Sequence, residues 1–232
     1  MNVTPRFVDG GTGSSRIRKV TRFQTNENYW DERWMEAGMD AGSFQNISIY
    51  PVKYAEMVMD KSKRAVELGA GLGRLLKHYH HQGFDVVGLE RSKVAIQQLQ
   101  SENLGIEIRL GDVRELPYSD SAFDVVLSFG VYHNLETGMD QSLGEAARVL
   151  QSGGRFCIST RPDNFEMRFN EWFWRWKQRR KRGSTQYFHR WLTGEREFTE
   201  MLARCGLISE RVFRARNVSL LYRLPFLRAR SQ

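Results

Sequence analysis

The sequence of 232 residues contains no uninterrupted apolar run of 18, so no transmembrane helix is expected. Its first 28 residues are polar and basic and lack the apolar centre of a secretory signal, which makes a cytoplasmic location the expectation. Cysteine is scarce. Cys157 and Cys205, in a strand-like and a helix-like run, read as buried free thiols in a reducing compartment, not as a disulfide framework. His78, His80 and His81 cluster, but no cysteine or acid completes a ligand set, so no metal site is expected. No internal repeat is visible. The length suits one α/β domain with decorations.

Charge is plentiful but uneven. The net charge is +8, yet residues 161–232 hold 17 Lys/Arg against 7 Asp/Glu, leaving 18 against 20 for residues 1–160. The basic surface therefore belongs to the C-terminal third. It suits an anionic partner such as nucleic acid, phospholipid or an acidic substrate, or else a solvated basic face.

The stretch Ala65-Val66-Glu67-Leu68-Gly69-Ala70-Gly71-Leu72-Gly73 reads as a buried strand, a tight glycine turn and the start of a helix. Such a turn lets the backbone approach a ligand closely and aims a helix N-terminus at it. The spacing is G-x-G-x-G, not the G-x-G-x-x-G of dinucleotide sites. Glu67 is a poor neighbour for a pyrophosphate and a good one for an ammonium or sulfonium. Glu90 closes the next apolar run and can accept two ribose hydroxyls, which fits a nicotinamide dinucleotide as well. Asp112 closes a third run, where an adenine amine needs an acceptor. Three acids at three successive strand ends beside the glycine turn describe a cationic adenosyl ligand.

These residues resemble the class I S-adenosylmethionine-dependent methyltransferases, of the type 11 and quinone-biosynthesis-like kinds. The resemblance is carried by Val66 to Gly73, by Val87-Gly88-Leu89-Glu90-Arg91-Ser92, by Gly111-Asp112-Val113 with Leu116-Pro117, by Phe123 to Ser128, and by Arg148 to Gly154. It covers residues 64–160 strongly. It implies S-adenosylmethionine as cofactor, held by Glu67, Gly69, Ala70, Gly71 and Gly73 on the methionine and ribose side. Glu90 and Arg91 would take the ribose and Asp112 with Val113 the adenine. Ser128 and Gly130 would line the methionine end, and Arg33 is either a partner for the cofactor's carboxylate or a surface ion pair.

The resemblance also implies a doubly wound, Rossmann-like α/β fold with a seven-stranded sheet whose last strand is antiparallel. Strands are expected near 64–69, 85–90, 106–110, 123–129 and 154–160, with helices near 72–82, 92–103 and 138–150; Ser92 looks like an N-cap. Residues 1–27 read as a mobile basic tail, 28–62 as N-terminal capping helices, 63–160 as the cofactor-binding core, and 161–232 as a lid helix with the C-terminal part of the same domain. Within the last, helices are expected at 163–181 and 194–204, a stop at Gly206, and strands near 207–214 and 217–223.

Methyl transfer requires alignment and exclusion of water more than a covalent nucleophile. His133 and Tyr132, after the fourth core strand, are the candidate catalytic residues: either His133 acts as a base on an O–H or N–H acceptor, or it packs over the cofactor. The acceptor read first is a small molecule. A quinone or lipid precursor at a membrane surface, a tRNA base, and a non-catalytic role in cofactor binding are the alternatives. In the helix at 163–181, Phe165, Phe169, Trp172 and Trp176 form one stripe, of which Phe169, Trp172 and Trp176 are expected to face inward over the acceptor, with Trp174 opposite and Arg179-Arg180-Lys181-Arg182 as a basic end.

Overall fold

The computed structural model describes residues 17–25, 29–30, 32, 34–35, 50–177 and 185–213. Five parallel strands form the main sheet: β2 (Arg64–Leu68), β3 (Asp85–Glu90), β4 (Ile108–Leu110), β5 (Phe123–Phe129) and β6 (Leu150–Ser159). A separate antiparallel pair joins β1 (Ile17–Arg22) to β7 (Tyr187–Thr193). The helices are α1 (Tyr50–Ala55), α2 (Arg74–His81), α3 (Lys93–Ser101), α4 (Met139–Val149), α5 (Phe165–Lys177) and α6 (Glu195–Arg204).

The main sheet runs in the order β4-β3-β2-β5-β6. The chain starts in the middle, winds outward to β4, returns beside β2 and winds out the other way. That reversal opens a crevice between the C-terminal ends of β2 and β5. Ala65, Val66 and Leu68 are wholly buried because helices cover both faces of a parallel sheet. One core layer packs Leu75, Leu76 and Tyr79 of α2 on it, the other Ala146 and Val149 of α4. The Ser92 hydroxyl accepts from the Ala95 N–H at 3.3 Å, the cap expected there.

The second sheet corrects two expectations. Residues 17–22 are a strand, not part of a mobile tail, and β7 has no counterpart in the predicted elements. The strand expected near 207–214 is absent over 207–213, and 217–223 lie outside the described residues. The seven described strands are thus five plus two, not one continuous sheet. Short β-branched and aromatic runs such as Tyr187–Thr193 carry too little periodicity to reveal a pairing partner 170 residues upstream.

The antiparallel pair is fastened to the end of β6. The Thr193 N–H donates to the Arg161 carbonyl at 2.9 Å and the Asp163 N–H to the Thr193 carbonyl at 3.0 Å. The Trp191 indole donates to the Leu135 carbonyl at 2.8 Å, which seats β7 against the turn after β5. The register of β7 shifts between the pairs Val20–Arg190 and Thr21–Phe188, so His189 is an extra, bulged residue. A bulge breaks the alternation of faces. Phe188 and Trp191 consequently both enter the core, while His189 and Arg190 both line the same cleft.

Candidate active site

The glycine turn sits at the head of the crevice. Gly69 (φ +73°) and Gly71 (φ +54°) occupy the left-handed region that side chains disfavour. A Cβ on Gly69 would lie 2.3 Å from Val131 Cγ2, and one on Gly71 would lie 2.8 Å from the Trp34 ring. The turn is pinned to β3. The Gly69 and Ala70 N–H groups donate to the Leu89 carbonyl at 2.8 and 3.0 Å.

Glu67 lies beneath this turn and is only 5% exposed, with its Oε2 lacking any hydrogen-bond partner among the described residues. Burial pushes its carboxyl up to about 8; the Glu90 charge adds to this and Arg74 offsets part of it. A buried carboxylate oxygen without a donor is costly, and a ligand cation would relieve it.

Glu90 ends β3 with its carboxylate well occupied. Oε2 accepts from the Gly71 N–H at 2.8 Å, and Oε1 from the Arg91 and Ser92 N–H groups, each at 2.8 Å. It therefore clips the glycine turn to the next strand, and each of its oxygens has acceptor capacity left over. The Arg91 side chain is exposed. Asp112 is held by its neighbour: Arg114 Nε and Nη2 donate to it at 2.9 and 2.6 Å, and the Arg114 N–H at 2.9 Å. These bonds keep its carboxyl below the usual range. The sequence offered no sign that Asp112 would be paired. Val113 is buried beside it against the sheet.

At the other lip, the buried Ser128 hydroxyl donates to the Leu68 carbonyl at 3.2 Å and ties β5 to β2. The Gly130 N–H donates to Ser159 Oγ at 3.0 Å. Tyr132 is 0% exposed among Met139, Leu143, Phe188, Trp191 and Phe198, and burial pushes its phenol well up. It packs in the core, and its hydroxyl has no hydrogen-bond partner among the described residues. His133 follows it in the same turn. It is 4% exposed, its Nδ1 has no hydrogen-bond partner among the described residues, and its pKa lies well below 6.5 because of burial and the charges of Arg161, Arg190 and His189. Arg33 lies outside the described residues.

A row of aromatic rings links the turn to the second sheet. Trp34 touches Gly71, Trp30 stacks on Trp34 at 5.4 Å, Tyr29 meets Trp30 edge-on at 5.2 Å, and Tyr29 meets His189 at 5.2 Å. Beyond them opens a cleft of about 420 Å³, with Arg22, Tyr29, Trp174, His189 and Arg190 in its walls. Sequence reasoning missed Arg22, His189 and Arg190 altogether, since the pairing of β1 with β7 brings them there.

Helix α5 is turned the opposite way from the expectation. Trp174 faces inward, with the Arg22 guanidinium 4.0 Å over its ring and Phe23 at 5.6 Å. Trp172 and Trp176 are 59% and 50% exposed, as is most of Phe165. The helix is apolar on two sides, and the bidentate Arg22–Glu171 pair, at 2.6 and 2.7 Å, selects the Trp174 side. Residues 178–182 lie outside the described residues.

Residues 66–158 match the family profile described as a methyltransferase domain. A protein of Mus musculus named mitochondrial 2-methoxy-6-polyprenyl-1,4-benzoquinol methylase is 42% identical over 153 residues, 64% of this chain and 40% of its own. One of Bos taurus named eEF1A lysine and N-terminal methyltransferase is 25% identical over 146 residues, 57% of this chain and 21% of its own. The chain thus spans less than half the length of these curated relatives. An S-adenosylmethionine-dependent methyltransferase structure from Mesorhizobium loti superposes with a TM-score of 0.55 at 19% identity, covering 76% of this chain and 90% of that one. A Methanosarcina mazei structure described in the same way gives 0.58 at 15%, covering 68% and 85%. These likenesses show the fold. Residues 66–158 thus match a methyltransferase domain, and S-adenosylmethionine is the cofactor that this match and the fold imply.

Proposed function

We propose that this methyltransferase-domain chain moves a methyl group from S-adenosylmethionine to an O, N or C nucleophile of a small molecule. The observation that carries the reading is the unpartnered, buried Oε2 of Glu67 under a turn too tight for side chains. A cationic amino-acid end fits there and a pyrophosphate does not. The bound cofactor would supply a methyl group activated on sulfonium for in-line displacement.

The protein's own groups would do the rest. Gly69, Ala70, Gly71 and Gly73 let the ligand approach the backbone, and Glu90 would offer its remaining lone pairs to the ribose. Val113 would meet the adenine, with Asp112 accepting from it beside Arg114. The row Tyr29-Trp30-Trp34 would exclude water. His133, uncharged at neutral pH, would accept a hydrogen bond or proton from the acceptor at Nδ1. Support for a small acceptor comes from the walled cleft that Tyr29 joins to the glycine turn. Calorimetry with S-adenosylmethionine and S-adenosylhomocysteine, followed by release of the latter with a small-molecule extract, tests the reading. Absence of cofactor binding by the full chain would overturn it.

The outward Trp172 and Trp176 on α5 favour a second reading, in which a cytoplasmic protein works at an anionic membrane surface on a quinone or lipid precursor. No helix among the described residues is long and apolar enough to cross a membrane. Sedimentation with anionic liposomes beside a tRNA shift assay, both at about 0.15 M salt, separates this reading from a tRNA acceptor.

A further inference from the structure

The cleft between β1, β7 and α5 is built for negative charge. Arg22 has its own carboxylate, Glu171, held in the bidentate pair. Arg190 has none. Its Nε is buried without a hydrogen-bond partner, and its nearest polar contact is the ring of His189, which brings no negative charge. Arg161, just past the end of β6, makes no ion pair among the described residues. The bulge at His189 aims two consecutive β7 side chains into this space, so the concentration of cations follows from the backbone and not from chance surface placement.

The surroundings act on both side chains. Burial and the charges of Arg161 and Arg22, offset in part by Glu171 and Tyr29, pull the Arg190 guanidinium down to about 10. Burial and the charges of Arg190, Arg22 and Arg161 pull His189 down to about 3. Among the described residues, the one carboxylate that reaches Arg190, Glu171, is bonded to Arg22, and a desolvated cation with so little compensation is costly. A ligand oxyanion would remove that cost, and a planar guanidinium grips one through two parallel hydrogen bonds.

We propose that the cleft is the acceptor subsite and that it selects an acceptor bearing an oxyanion, a carboxylate or a phosphate, gripped by Arg190 with Arg161 adding charge. Tyr29 and Trp174 supply flat walls for the acceptor's apolar part. The inference rests on the small-molecule methyl-transfer reading for the word acceptor, but the anion site stands on the cleft alone. The buried His133 feels the charges of the same Arg161, Arg190 and His189.

The test is calorimetric and needs no turnover. The full chain, saturated with S-adenosylhomocysteine, is titrated with benzoate, with inorganic phosphate and with neutral benzamide. Benzoate or phosphate should bind in the millimolar range or better, benzamide should not, and the tighter of the two anions assigns carboxylate or phosphate. Arg190→Gln should weaken the bound anion about tenfold or more, with S-adenosylhomocysteine affinity unchanged. Arg190→Lys should retain part of the binding. If Arg190→Gln fails to fold, Arg161→Gln carries the comparison. Equal binding of benzamide, or anion binding unaltered in both Gln variants, would overturn the proposal. Failure of wild type to bind S-adenosylhomocysteine would instead strike the methyl-transfer reading, leaving the anion titration of the unliganded chain to decide this one.

Discussion

Trp34 lies against Gly71 so closely that a single added carbon on the glycine would sit 2.8 Å from the indole ring. The Trp34 ring is thereby packed on the glycine turn. Gly71→Ala should weaken S-adenosylhomocysteine binding by tenfold or more and lower stability by about 1–2 kcal/mol, since alanine must also adopt φ near +54°. Adding Trp34→Ala should recover only the steric part. Calorimetry and thermal unfolding of the single and double variants check this.

Glu67 makes the unliganded chain pH-sensitive. Its folded pKa, about 8, stands above the 4.5 of an ordinary glutamate, so the folded state binds the proton more tightly than the unfolded state. The stability from this group is complete below pH 4.5 and is lost as pH rises from there through about 8. Glu67→Gln should flatten that decline. If a ligand ammonium seats on the carboxylate, cofactor binding at pH 7 should release a proton. Calorimetry in buffers of different ionisation enthalpy measures it, and an unchanged apparent enthalpy would contradict the assignment.

Glu90 serves the turn as well as the ligand. Glu90→Ala should reduce cofactor affinity by about tenfold or more and also lower the melting temperature, because three backbone N–H donors lose their acceptor. Asp112→Asn should weaken the cofactor with a smaller stability cost, since its pair with Arg114 is partly exposed. Titration calorimetry beside thermal unfolding separates the two effects.

His133 and His189 stay uncharged at neutral pH. Their pKa values are lowered by burial and neighbouring arginines. The turnover profile should therefore show no limb near pH 6.5 from either ring, and NMR should find both unprotonated at pH 6. His133→Asn should lower turnover by roughly 10²-fold if Nδ1 takes the acceptor's proton, while cofactor affinity holds.

On α5, Trp174→Ala should destabilise by about 2–4 kcal/mol, through lost packing and the lost Arg22 stacking. Trp172→Ser and Trp176→Ser should change stability by no more than about 0.5 kcal/mol, as exposed positions do. Their effect belongs in liposome sedimentation, where the membrane-surface reading expects both to weaken binding.

What the sequence by itself determined is the central sheet and the side of it that carries the site. Buried parallel strands announce themselves through continuous apolar runs such as Val86 to Leu89, and the glycine turn with Glu67 and Glu90 is a local pattern that survives without any partner. The helix at α5 was legible too, since its stripe repeats with the helical period. Its orientation was not, because two of its faces are apolar and only the placement of Arg22 and Glu171 chooses between them. Tyr132 next to His133 looked like a site residue for the same reason: adjacency in the chain does not say which side chain turns into the core. The cationic cleft was decided by tertiary structure alone. Arg22 and Arg190 are far apart in sequence, and it took an antiparallel pairing across some 170 residues, with a bulge at His189, to bring them together.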